Sequence, residues 1–278
     1  MVEVLDLLWQ PLQYPFMVRG LLAAMVVGVV CGVVGSFVVL RGMAFFGDAL
    51  SHSILPGIAI GYLIGGGARA PLFGWALGTG IVVSLGIGAI TRTGRLKEDT
   101  AIGIIFAGMF ALGVALISLN TSYSMDLVHF LFGDVLGVSW ADLALTAGFG
   151  FAVVFILLVF YKEYLVVSFD ETLAKTLRLP SSLLYYSLLI LIAITIVVAV
   201  QTVGVALMLA MLVTPPATAH LLTRRLPAMM AVAAIVGAAS GIAGLYLSYY
   251  AGIASGAAIV LVCTTLFVCT LAVTQLRR

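Results

Sequence analysis

Residues 183–222, LLYYSLLILIAITIVVAVQTVGVALMLAMLVTPPATAHLL, decide the class of fold. These forty residues include no Asp, Glu, Lys or Arg. A helix needs about 20 predominantly apolar residues to cross the hydrocarbon core of a bilayer, so this run is long enough for two crossings. Gln201 and Thr202 mark the expected turn between them. Pro215 and Pro216 would break a continuous helix, because proline has no backbone N–H to donate.

The composition of the whole chain agrees with this interpretation. Of its 278 residues, 63% are hydrophobic and only 9% are charged, and the mean hydropathy is +1.26. Soluble domains carry about a quarter charged residues. The net charge of +2 is small and says nothing about nucleic acid, but the chain has no basic run with interleaved aromatics, so no nucleic-acid partner is expected. We therefore expect an all-α, polytopic bundle in the lipid membrane, with residues 1–278 forming a single transmembrane domain.

Runs of suitable length predict nine spans, with the N-terminus outside and the C-terminus in the cytoplasm. Taken as single crossings, they place 11 of the 13 Lys and Arg residues on one side of the membrane. Loops on the cytoplasmic side carry such an excess, and only Arg19 and Arg69 lie on the other side. The expected spans are residues 17–40, 46–66, 72–91, 101–119, 139–161, 183–200, 202–222, 228–250 and 255–275. The 11 residues are Arg41, Arg92, Arg95, Lys97, Lys162, Lys175, Arg178, Arg224, Arg225, Arg277 and Arg278.

Glycine spacing predicts how the spans pack. Small residues four positions apart lie on one helix face and let two backbones approach closely. This spacing indicates tight packing and names no function. The glycines concerned are Gly28 and Gly32, Gly57, Gly61 and Gly65, Gly74 and Gly78, and Gly237 and Gly241.

Asp48 and His52 are the strongest candidates for a site. They are four residues apart, so on a helix the carboxylate and the imidazole share one face. An ionisable group inside a span is costly and usually faces a cavity or a partner. A carboxylate and an imidazole suit Zn²⁺ or Mn²⁺, but zinc takes about four ligands. A second copy of the pair around a twofold axis would complete the set; alternatively, the two residues merely cap the second span.

Other ionisable and sulfur-containing residues are weaker candidates. His129, between Asp126 and Asp134, falls in a stretch expected outside, where it is either part of an outer vestibule or a solvated loop residue. His220 is expected to anchor the cytoplasmic end of its span, beside Arg224 and Arg225. Two sets of sulfur-containing side chains are expected to pack among apolar neighbours. These sets are Met208 and Met211, and the cysteines Cys31, Cys263 and Cys269.

The longest predicted cytoplasmic loop contains a short helix. In KEYLVVSFDETLAKTLRLPSS, Ser168 or Asp170 can cap a helix that runs to about Leu179, and Pro180 would end it. The acidic first turn and the basic last turn suit the helix dipole. A helix lying on the cytoplasmic face is either an ordinary interfacial helix or a docking element for another protein.

Together these segments resemble the permeases of metal-uptake ABC transporters, which import zinc, manganese or iron(II). FGDALSHSILPGIAIG, residues 46–61, is similar to the signature of that family. VGVALMLAMLVTPPATA, residues 203–219, resembles its second conserved block, although the two prolines depart from the single proline expected there. SFDETLAKTLRLP, residues 168–180, occupies the place of the family's coupling helix, expected here near residues 169–179.

The resemblance implies a type II ABC importer-like fold in a bacterial cytoplasmic (inner) membrane. It implies a homodimer of permeases, two cytoplasmic ATP-binding subunits and an extracytoplasmic metal-binding protein. In that arrangement Asp48 and His52 of both copies line the pathway of a divalent metal, zinc or manganese. Asp170, Glu171 and Ala174 would contact the ATPase. No cofactor is expected to be bound permanently, and ATP would act through the partner subunit.

Two rival functions belong to other classes. A secondary metal transporter driven by an ion gradient would need a site for its coupling ion, and such proteins commonly contain repeated halves, which the sequence does not show. An intramembrane enzyme would need a nucleophile, but Ser51 and His52 are adjacent and project about 100° apart on a helix. The chain also has no GxSxG elbow and no GxxxxGK[ST] phosphate loop, so we do not expect it to be an enzyme or to hydrolyse ATP itself.

Overall fold

A computed structural model describes residues 9–66, 68–94, 96–119 and 135–276, which form helices and short connections. Eight of the helices are long and apolar enough to cross a membrane. Two short 3₁₀ helices, Pro11–Gln13 and Val135–Gly137, precede long helices. In chain order the α-helices are α1 Pro15–Leu40, α2 Ala44–Ser53, α3 Leu55–Gly65, α4 Arg69–Arg92, α5 Glu98–Ser118, α6 Trp140–Val159, α7 Tyr161–Phe169, α8 Glu171–Thr176, α9 Ser181–Val203, α10 Val205–Leu222, α11 Leu226–Ala251 and α12 Ser255–Leu276.

The second expected span is two helices rather than one. α2 has 10 residues and α3 has 11, and Ile54 separates them. Pro56, at the start of α3, has no N–H for the carbonyl of His52, so the helix bends at this point. Together the two helices make one crossing of about the length that a bilayer requires.

α9 and α10 meet at a single residue, Gly204. Its φ of 82° and ψ of 168° lie in a region that is costly for residues with a Cβ atom. The turn expected at Gln201 and Thr202 is therefore wrong, because α9 continues through both residues to Val203. The division of the run into two helices is confirmed.

α10 continues through Pro215 and Pro216 to Leu222, contrary to the break expected there. The two prolines leave the carbonyls of Met211 and Leu212 without their usual helical donors. Gly35 of α1 lies against the Leu212 carbonyl, and a Cβ atom on Gly35 would collide with that oxygen. The carbonyl is thus covered by tightly packed protein, where a gap in helical hydrogen bonding is tolerated within a membrane.

The centre of the bundle is formed by α1 and α9, the two most buried of the long helices. α1 packs closely on α11, since a Cβ atom on Gly28 would lie 2.6 Å from the carbonyl carbon of Gly237. The glycines of α3 likewise approach α4. These contacts confirm the predicted packing, except at Gly74 and Gly78, where a Cβ atom would meet only open space.

Charged side chains divide between the two ends of the bundle as the sequence predicts. At one end Arg41 Nη2 lies 3.8 Å from Glu98 Oε1, and the Arg41 guanidinium lies 4.8 Å from the ring centre of Tyr185. At the other end Arg69 Nη1 donates to Asp142 Oδ2 at 2.8 Å. We call the first the basic end. Arginines end or closely follow three helices there, namely Arg41 after α1, Arg92 at the end of α4, and Arg224 and Arg225 after α10.

Candidate metal pathway and coupling segment

Asp48 and His52 lie side by side on α2, in partly open surroundings. His52 Nε2 is 3.7 Å from Asp48 Oδ1, and the two side chains are 27% and 34% exposed. α2 begins at Ala44, and its N-cap residue, Met43, makes no side-chain capping hydrogen bond. Asp48 is thus in the second turn of the helix and does not cap it. Both groups can reach an ion that approaches this face of α2.

Two aromatic rings of α5 cover one side of His52. The imidazole centre lies 6.0 Å from the ring centre of Phe106 and 5.8 Å from that of Phe110. His52 Nδ1 is buried and has no hydrogen-bond partner among the described residues.

The serines beside His52 are occupied within their own helix. Ser51 is buried and donates to the Gly47 carbonyl at 2.7 Å, and Ser53 donates to the Ala49 carbonyl at 2.6 Å. Neither hydroxyl hydrogen-bonds to the imidazole. This geometry gives no support to a Ser–His nucleophile.

The ligand set of one chain is small. In the part of the chain that the structure describes, no three His, Cys, Asp or Glu side chains come together in a way that could hold a metal ion. A carboxylate and an imidazole would replace only a fraction of the water around a divalent cation, because such ions take four to six ligands. The pair can therefore form only part of a complete coordination sphere.

The predicted coupling segment is a short, well-capped helix. Asp170 is the N-cap of α8, and its Oδ1 accepts from the N–H of Leu173 at 2.9 Å. The helix ends at Thr176, earlier than expected. The N–H groups of Arg178 and Leu179 bond back to the carbonyls of Lys175 and Ala174, and Arg178 adopts a φ of 55°. This Schellman motif, and not Pro180, ends the helix.

The coupling segment is attached to the bundle on one side and open on the other. Ala174 is fully buried in the main core, so it does not face a partner, contrary to our prediction. Glu171 begins α8 as expected. Leu173 and Leu177 are exposed apolar residues on this segment that the sequence analysis did not single out. Their four-residue spacing, which puts both on one helix face, is the signal that would have identified them.

α7 ties the coupling segment to α9. The Tyr164 hydroxyl lies 3.0 Å from the Ser187 hydroxyl. Burial raises the pKa of Tyr164 above its ordinary value, so the hydroxyl stays protonated and available as a donor. Tyr164 thus links α7, which directly precedes α8, to α9, one of the two central helices.

The remaining candidates occupy varied places. Met208, Met211, Cys31 and Cys263 are buried in the core as expected, whereas Cys269 is exposed, contrary to the prediction. His220 is exposed near the end of α10, close to Arg224 and Arg225. His129, Asp126 and Asp134 lie outside the described residues.

The similarity to known proteins extends over nearly the whole chain. A model described as "ABC 3 transport family" matches residues 13–274. The manganese transport system membrane protein MntC of Halalkalibacterium halodurans is 47% identical, over 93% of this chain and 87% of the relative. The probable iron transport system membrane protein of Haemophilus influenzae is 42% identical, over 98% of each chain.

A solved structure has the same fold. PsaBC from Streptococcus pneumoniae in complex with Fab matches with a TM-score of 0.82 and 37% identity. The match covers 96% of this chain and 95% of that one.

Proposed function

The chain belongs to the ABC 3 transport family, as a multi-pass permease subunit of an ABC metal importer, and we propose that it imports Mn²⁺ or Fe²⁺ past Asp48 and His52. The observation that carries this proposal is the pairing of the two side chains on α2. Their 3.7 Å separation and partial exposure leave both able to contact a passing ion. The family model also makes the chain a transporter subunit and not a catalytic enzyme.

The pair suits manganese or ferrous iron on chemical grounds. One carboxylate oxygen and one imidazole nitrogen are ligands that Mn²⁺ and Fe²⁺ accept, whereas softer metals prefer thiolates. The names of the two relatives specify manganese and iron. We place manganese first, and keep zinc, which the same ligands also accept, as the comparison metal.

A homodimer would complete the coordination sphere. Each chain supplies two side-chain ligands, and a second copy related by a twofold axis would bring the total to four. Those four, together with water, would replace much of the ion's hydration without forming a rigid cage. Conduction requires binding that is favourable enough for entry and weak enough for release.

ATP would act through separate cytoplasmic subunits docked on the coupling segment. The exposed side chains of Leu173 and Leu177, with Asp170 at the helix start, form the surface that such a subunit would contact. The bond from Tyr164 to Ser187 would pass its movement to α9. A metal-binding protein outside the bacterial inner membrane would deliver the ion at the opposite end.

The test is metal uptake by proteoliposomes that contain the permease, its ATPase and its binding protein. D48N and H52Q would be compared with wild type and with D99N, which removes an exposed carboxylate from the start of α5. We expect uptake by D48N and H52Q to fall at least tenfold while ATP hydrolysis continues, and D99N to match wild type. Supplying Mn²⁺, Fe²⁺ and Zn²⁺ in turn identifies the metal.

Two outcomes would overturn the proposal. Wild-type uptake by D48N and H52Q would remove both residues from the pathway. Uptake that follows the membrane potential and ignores ATP would favour a secondary transporter instead.

A further inference from the structure

A cavity of about 450 Å³ opens at the basic end of the bundle, away from Asp48 and His52. Its walls come from the end of α1, from α7, and from the junction between α10 and α11. We call it the basic-end cavity. The metal pathway proposed above makes no use of it.

One wall of the basic-end cavity is cationic. His220, Arg224 and Arg225 line it, and the set of lining residues includes no Asp or Glu. Neither guanidinium is ion-paired with a carboxylate in the described ranges of the chain. Two adjacent arginines without a neutralising partner produce a local positive potential that favours an anion. Arginine also matches the geometry of a phosphate group with its planar fork of donors.

A second part of the wall is apolar. Leu40, Leu165 and Met229 contribute aliphatic surface, and Phe169 contributes an aromatic ring. A free inorganic phosphate would leave this wall in contact with water. An acidic protein segment would satisfy the arginines but would leave the apolar wall unfilled. A phospholipid satisfies both walls, because its phosphate adjoins a glycerol and two acyl chains.

We propose that the basic-end cavity binds one anionic phospholipid of the surrounding membrane through its phosphodiester group. Arg224 and Arg225 hold the phosphate, and the glycerol and the first acyl carbons lie against Leu165 and Met229. The location suits this occupant, since the cavity lies where several spans end and where lipid headgroups are found. Basic pockets between transmembrane helices on the cytoplasmic side favour acidic headgroups.

Such a lipid would brace the coupling segment. Tyr161 and Phe169, at the two ends of α7, both line the cavity, and α8 follows directly after α7. A lipid seated there would contact α7 on one side and the α10–α11 junction on the other. The position of the coupling segment would then depend on the lipid composition of the membrane. This inference does not rest on the identity of the metal.

The experiment is native mass spectrometry of the intact permease–ATPase complex, titrated with phosphatidylglycerol or with phosphatidylcholine. We expect wild type to retain one phosphatidylglycerol per permease chain in preference to phosphatidylcholine. The R224Q/R225Q variant should bind phosphatidylglycerol roughly 25-fold more weakly, at about fivefold for each guanidinium. The R69Q/K97Q variant loses the same charge from exposed positions outside the cavity and should bind like wild type.

A second variant keeps the test independent of the arginines. L165W fills the apolar wall while every charge remains, and it should also lose the bound lipid. Equal retention of the two lipids by wild type, or equal losses in the two double variants, would overturn the proposal. Displacement of phosphatidylglycerol by millimolar inorganic phosphate would show a soluble-phosphate site and would equally contradict a lipid site.

Discussion

At the scale of single residues, the chemistry of the proposed pathway depends on what surrounds His52. Asp48 shares its helix face, and Phe106 and Phe110 cover the ring from the neighbouring helix α5. Nδ1 of His52 is buried, and Nε2 lies on the side of Asp48. We propose that the aromatic residues hold the imidazole in position for the ion without contacting the ion themselves.

Removing one of these rings should weaken the site without removing a ligand. In F110A the imidazole loses a neighbour 5.8 Å away and can rotate from the pathway. We expect the KM for Mn²⁺ uptake to rise roughly tenfold, as is usual when the support of a metal ligand is lost. ATP hydrolysis and assembly should be unchanged. Transport kinetics in proteoliposomes would measure the effect.

F151A is the matched control, because it removes an exposed ring from α6 that does not contact His52. If the KM of F110A equals that of F151A, the rings do not position the imidazole.

At the scale of helices, α10 depends on its contact with α1. The Leu212 carbonyl, deprived of a donor by Pro216, lies where a side chain on Gly35 would have to go. G35A should force the two helices apart and lower the stability of the folded protein by about 1–3 kcal/mol, a common cost of overpacking. Thermal unfolding in detergent would show a lower Tm.

G86A provides the comparison for G35A. A Cβ atom on Gly86, in α4, would meet only open space, so its Tm should not fall. An equal decrease for the two variants would attribute the effect to the loss of glycine itself and not to the contact.

The coupling segment depends on its N-cap. In D170A the N–H of Leu173 loses its acceptor, which should destabilise α8 by about 0.5–2 kcal/mol. We expect weaker coupling, measured as metal ions transported per ATP hydrolysed. D170N retains a capping oxygen but loses the charge. Recovery of coupling in D170N would identify the cap as the cause, whereas failure to recover would assign the role to the negative charge.

At the scale of the whole molecule, two interfaces are proposed to hold the transporter together. The twofold contact between permeases completes the metal site, and the surface around Leu173 receives the ATPase. The two surfaces differ, since α8 lies at the basic end while Asp48 lies within a crossing. Disrupting one should leave the other intact.

L173D tests this separation. A carboxylate at this exposed apolar position would be desolvated on docking, so the ATPase should be released from the complex. The permease should remain a dimer, as determined from the mass of the purified particle. T172D adds the same charge at an exposed position on α8 that lies about 100° or more around the helix from Leu173 and Leu177, and we expect it to retain the ATPase. A permease that is monomeric in the active complex would contradict the dimer proposed here.

The sequence by itself determined the features that arise from neighbours along the chain. Composition identified a membrane bundle, charge placement divided its two ends, and the four-residue spacing put Asp48 and His52 on one face. Ser168 and Asp170 were the two candidate caps for the same reason, and the structure assigns the cap to Asp170. Each of these features depends on helical periodicity, on local propensity or on the cost of placing charge in lipid. All three can be read from short segments of sequence.

Only the tertiary structure decided what depends on residues distant in sequence. α10 runs through Pro215 and Pro216 because Gly35 of another helix covers the freed carbonyl of Leu212. Ala174 turns inward because the core lies on that side of α8, and Phe106 and Phe110 reach His52 because α5 packs beside α2. Close packing between helices determines such contacts. Within a membrane, any neighbouring helix can cover or hydrogen-bond a backbone group that has lost its helical partner. Local sequence patterns do not specify which neighbour that is.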